Sequence, residues 1–170
     1  MQMKRMLPVF LSVVLFSLAA SSVFADPLVA SGVVSVGDQY TVTTISGTAS
    51  AWINGQRVTY QANLQLQVQV TYVGPHNIIF KVLSGTFQIG NKPYAIDVGH
   101  WQGYYNRDTQ TSTYQGPATA PDGRPAYFVM FGQDIRETST GTYVHTLSSF
   151  LGEYGALWHV DITAFRDQTI

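Results

Sequence analysis

The segment "ALWHVDITAF" (residues 156–165) sets His159 two residues before Asp161, with Ala156, Trp158, Val160, Ile162 and Ala164 in the alternate positions. Alternate residues of an extended chain share a face, so an imidazole and a carboxylate stand side by side with an apolar row behind them. Such donors suit Zn²⁺ or Fe²⁺ when a third ligand joins them. His145 is the candidate third ligand, with His76, His100 and Glu137 also available. The repeated His signature of known metal motifs is missing, so the simpler expectation is a solvated His/Asp pair and a protein with no cofactor.

A second stretch, "GHWQGYYNRD" (residues 99–108), offers a candidate ligand surface in His100, Trp101, Tyr104, Tyr105, Arg107 and Asp108. Strict alternation from Tyr94 places Ile96, Val98, His100, Gln102 and Tyr104 on its own face, and Asp97, Gly99, Trp101, Gly103 and Tyr105 on the other. Rings flanked by glycine form a flat platform on which a sugar can stack, with Asp97 or Arg107 reaching its hydroxyls. A large ring can equally lie over a neighbouring strand's glycine and seal the sheet. Sealing is the expectation for Trp101, which leaves Tyr104, Tyr105 and the following loop as the contact surface.

Other chemistries find little support. Asn106, Asp108 and Gln110 are staggered like the opening of a calcium loop, but Thr111 stands where the sharp turn needs Gly and Pro117 where a bidentate Glu belongs. The chain has no Cys and no Gly-x-Ser-x-Gly elbow. Arg57, Lys81, Lys92, Arg107, Arg124, Arg136 and Arg166 are scattered singly, so no phosphate-binding surface for nucleic acid is expected.

The compartment is written in the first residues. Lys4 and Arg5 precede an apolar run over residues 7–20, and Val23-Phe24-Ala25 is a small-residue cleavage site, the pattern of a secretory signal peptide over residues 1–25. Cleavage would remove two cations and no acid, leaving seven Lys/Arg against ten Asp/Glu over residues 26–170. The expected location is secreted, periplasmic or cell-surface, with no membrane span after cleavage. Without cysteine, stability must come from packing and backbone pairing.

The elements that position these residues read as strands. "NLQLQVQVTY" (residues 63–72) alternates Leu64, Leu66, Val68, Val70 and Tyr72 with Gln65, Gln67, Gln69 and Thr71, which predicts an antiparallel strand with one face on a core. Further runs are expected over residues 28–36, 40–45, 49–53, 57–60, 78–83, 85–89, 94–105, 127–131, 142–147 and 157–165, separated by Gly37-Asp38, Asn54-Gly55, Gly74-Pro75, Gly90-Asn91 and Asp122-Gly123. "SGTASAWINGQRVTY" (46–60) and "SGTFQIGNKPYAI" (84–96) echo each other as two similar hairpins. Residues 106–125, rich in Pro, Gly and Thr, read as one long loop.

The sequence therefore predicts a single all-β domain over residues 26–170: an antiparallel β-barrel or β-sandwich, a meander of about 8–10 strands. The expected function is non-catalytic binding of a small molecule, a glycan or a surface protein. The alternative is a metal-dependent or carbohydrate-active enzyme with its site near His100, His145, His159 and Asp161.

Overall fold

The computed structural model describes residues 34–169. The expected signal peptide and most of the expected strand at 28–36 lie outside these residues, and positions 34–36 are not strand. The Gln-alternating segment lies within β2 (Gln56–Val73). Leu64, Leu66, Val68 and Val70 are buried, while Gln65 is exposed and Gln67 and Gln69 are half-buried. Tyr72 departs from the pattern and is exposed, because the register against the next strand shifts between Val70 and Tyr72.

Eight more strands complete the fold: β1 (Gln39–Ile53), β3 (Asn77–Ile89), β4 (Lys92–Ile96), β5 (Gln102–Asn106), β6 (Thr111–Thr119), β7 (Pro125–Glu137), β8 (Gly141–Leu151) and β9 (Leu157–Thr169). Every pairing is antiparallel, and β9 returns to pair with β1. β4 and β5 both pair with β3 on one side and β6 on the other, so they form a single interrupted stave. The sheet is thus a closed meander barrel of eight staves, and of the two expected architectures the barrel is the one adopted. Closure pairs the first and last described strands with each other, while β7 and β8 pair only from Met130 and Ser148 toward their connecting turn.

The interruption between β4 and β5 is a 3-10 turn at Val98–His100. It breaks the period of two and reverses the expected faces: Trp101, Gly103 and Tyr105 are buried inside, whereas His100 and Tyr104 point outward. The expected loop at residues 106–125 is also corrected. β6 occupies its middle with Ser112, Tyr114, Gly116 and Ala118 inward, and it pairs with both β5 and β7. Of its inner residues only Tyr114 is large, because neighbours fill the rest of that space: the Trp101 ring lies against Gly116, where even a methyl group has no room.

The interior is filled in two halves. Toward the β1–β2 and β3–β4 hairpin turns, aromatic rings fill it, with Phe128 and Phe150 at 4.0 Å, Phe87 and Phe128 at 4.9 Å, and Tyr94 and Phe150 at 5.6 Å between centroids. Toward the opposite end the filling turns polar. Arg166 on β9 reaches Asp134 on β7 at 3.0 Å with both side chains buried, and the Tyr105 hydroxyl donates to the same carboxylate oxygen at 3.0 Å. Burial works against the Arg166 charge. The Asp134 carboxylate, with the Tyr114 and Tyr105 hydroxyls, more than offsets it and holds the guanidinium protonated above its ordinary range.

Candidate functional site

Because the interior is filled, ligand-sized spaces lie at the surface: a groove of about 550 Å³ on the outer wall beside His159 and Asp161, and a larger one at a mouth. The β1–β2 turn holds Asn54 at φ 50° and Gly55 at φ 77°, and the β3–β4 turn holds Gly90 at φ 61°. These left-handed positions make both hairpins tight, so both stand at the same rim. Between them and a second 3-10 turn, Glu153–Gly155, lies a cavity of about 660 Å³. Ile53, Val58, Tyr60, Ile89 and Trp158 form its apolar walls, and Asn54, Gln56, Asn91, Lys92 and Glu153 its polar edge, with Tyr154 completing it.

The polar edge is tightly organised. The Glu153 carboxylate, only 9% exposed, accepts from Lys92 Nζ at 2.7 Å. Lys92 also donates to the Tyr154 hydroxyl at 3.2 Å and sits 5.2 Å from that ring's centroid. Hydrogen bonds to Glu153 and Tyr154 hold Lys92 protonated beyond its usual range. The Glu153 backbone N–H donates to the Tyr94 hydroxyl at 3.4 Å, which links the turn to the aromatic core.

Tyr154 adopts φ 62°, ψ 11°, a left-handed backbone that a tyrosine takes only at a cost of about 1–3 kcal/mol, and its ring is 58% exposed. Its neighbours impose this conformation. Asp122, in the β6–β7 turn, accepts the Tyr154 N–H at 2.9 Å and the Arg124 N–H at 3.2 Å, and the Gly155 N–H closes onto the Gly152 carbonyl at 3.0 Å. The Tyr154 N–H is the main cause that draws the Asp122 carboxyl below the ordinary aspartate range, with Arg124 assisting. Also lining the mouth, the Tyr60 and Trp158 rings are 6.1 Å apart between centroids. The Trp158 Nε1 is buried without a hydrogen-bond acceptor among the described residues. Leaving such a donor unsatisfied costs about 1–3 kcal/mol, a cost that a ligand oxygen within reach would remove.

The residues singled out in the sequence lie elsewhere and are not gathered into one surface. Trp101 and Tyr105 are core, and the Trp101 Nε1 donates to the Pro117 carbonyl at 2.7 Å. His100 is exposed and pairs with Asp97 at 2.8 Å. Tyr104 is outward on β5, Arg107 stands in the β5–β6 turn, and Asp108 pairs with His76 at 3.0 Å. His159 and Asp161 do share the outer face of β9, next to His145 on β8. His145 Nε2 meets Asp161 at 2.9 Å, while His159 Nδ1 meets Ser149 Oγ at 2.9 Å. Among the described residues, no three His, Cys, Asp or Glu side chains are grouped so as to hold a metal ion.

Sequence reading missed Tyr60, Lys92, Glu153, Tyr154 and Trp158. The available signal was the echo of the two hairpins, since both halves of that echo supply mouth residues. The class these observations define is a closed eight-stave antiparallel barrel, filled inside, with an aromatic-walled pocket at one rim. Comparison with protein families, with curated proteins and with solved structures gives no match.

Proposed function

We propose that the protein is a secreted, periplasmic or cell-surface binding barrel without catalytic activity, and that its rim pocket takes a saccharide ring. One observation carries this reading: Tyr154, held in a strained left-handed conformation and exposed, lines the same approximately 660 Å³ mouth as Tyr60 and Trp158. Aromatic walls suit the C–H face of a sugar. Asn54, Asn91 and the Lys92–Glu153 pair supply donors and acceptors for hydroxyls at its edge. An entirely apolar ligand would leave that edge unused. The location rests on the pattern of residues 4–25.

The test is a glycan-array screen followed by titration of the best saccharide. Tyr154→Ala and Tyr60→Ala should each weaken binding by about 1–3 kcal/mol, the range for truncating an aromatic contact, with thermal stability nearly unchanged. An array with no bound glycan, or affinity indifferent to both substitutions, overturns the reading.

A further inference from the structure

Among the described residues that line the rim pocket, only Lys92 and Glu153 carry charge, and they are joined at 2.7 Å. The wall therefore holds one cation and one anion that cancel. The β6–β7 turn that fastens Tyr154 repeats the arrangement: Arg124 Nε lies 3.5 Å from Asp122 Oδ2, and the same carboxylate oxygen accepts the Tyr154 N–H at 2.9 Å. Neither pair leaves a net charge at this rim.

The two partners at the pocket differ in access. The Glu153 side chain is nine-tenths buried, whereas that of Lys92 is about half exposed, so the ammonium is the half of the pair that a ligand meets. An ammonium has three donors. Lys92 gives one to Glu153 and one to the Tyr154 hydroxyl at 3.2 Å, which leaves one for a ligand oxygen.

A ligand carboxylate drawn to Lys92 would meet Glu153 beside it. Turning Lys92 wholly toward the newcomer would strand a buried carboxylate without its cation, among the costlier changes a protein can undergo, and sharing the ammonium would set two like charges together. A ligand ammonium fails for the converse reason, because Lys92 already covers the carboxylate it would seek. A hydroxyl escapes both penalties: it accepts from the remaining Lys92 N–H and exchanges hydrogen bonds with the amides of Asn54 and Asn91 along the same edge. Given that the pocket takes a saccharide ring, as proposed above, we infer that it selects an uncharged one, and that Glu153 sets this specificity by neutralising Lys92.

The test compares neutral glycans on an array with their uronic-acid and sialylated counterparts. The best neutral glycan is then titrated beside the same glycan with its primary alcohol oxidised to a carboxylate. The parent protein should bind the neutral form at least about tenfold more tightly. Glu153→Gln keeps an oxygen for Lys92 but removes the negative charge; it should raise the relative affinity for the oxidised form about tenfold, a gain that about 1 M salt cancels. Adding Lys92→Met should abolish the gain, since no cation then remains at the mouth. The parent's own preference carries the test if Glu153→Gln does not fold. Equal affinity of the parent for the two forms, a preference for the acid, or a folded Glu153→Gln protein that still rejects the acid overturns the inference while the saccharide reading stands. An array on which the parent binds no glycan overturns both.

Discussion

Trp101 lies inside the barrel, its ring against Gly116 and its indole bonded to the Pro117 carbonyl. It therefore acts on stability alone: Trp101→Ala should lower unfolding free energy by about 3–5 kcal/mol in denaturant titration, with any binding at the proposed rim site unchanged per folded molecule. A variant that unfolds like the parent would remove this assignment. The sequence already suggested a ring covering a neighbouring strand's glycine, and that is what forms. It did not reveal from which side. Alternation alone sets Trp101 opposite Tyr94, yet both are interior because the 3-10 turn at Val98–His100 uses residues without extending the strand. No composition signal marks that turn.

At the scale of elements, the rim depends on one short link. Asp122 in the β6–β7 turn accepts the Tyr154 N–H and so fastens that turn to the segment between β8 and β9. Its carboxyl is drawn below the ordinary range, so the stabilisation is present above its unfolded value and is lost as pH falls through the lower folded value. The stability difference between the parent and Asp122→Ala should be constant near neutral pH and vanish in acid below the usual aspartate range. Urea midpoints followed against pH check this; a difference that persists in acid would mean that the link does not depend on charge. Neighbouring elements show why some strands were legible and others not. β2 alternates Leu and Val with Gln and could be read directly, whereas β6 presents Ser112, Tyr114, Gly116 and Ala118 to the interior and passes for a loop. Small and polar inward residues are correct there only because Trp101 and the Arg166–Asp134 pair occupy the space.

Across the whole molecule, that ion pair ties β9 to β7 through the interior. Asp134→Ala would leave a buried guanidinium uncompensated and should cost about 3–5 kcal/mol, while Asp134→Val combined with Arg166→Met should be roughly neutral or stabilising, because neither charge then has to be desolvated. A loss in the double variant equal to the sum of the two single losses, measured by thermal unfolding, would show that Arg166 and Asp134 act separately.

The sequence by itself determined the all-β class, the strand-and-turn meander, the buried face of β2 and the shared outer face of His159 and Asp161. These follow from period-two patterning and turn chemistry, which are local. Tertiary structure alone decided that β9 closes onto β1, that Trp101 and Tyr105 face inward, and that Tyr60, Lys92, Tyr154 and Trp158 meet at one mouth. Each of these depends on register and on segments up to 130 residues apart, the separation of the paired Gln39 and Thr169. No single strand carries that information, because a side chain's neighbours across a closed sheet are set by how all eight staves are staggered together.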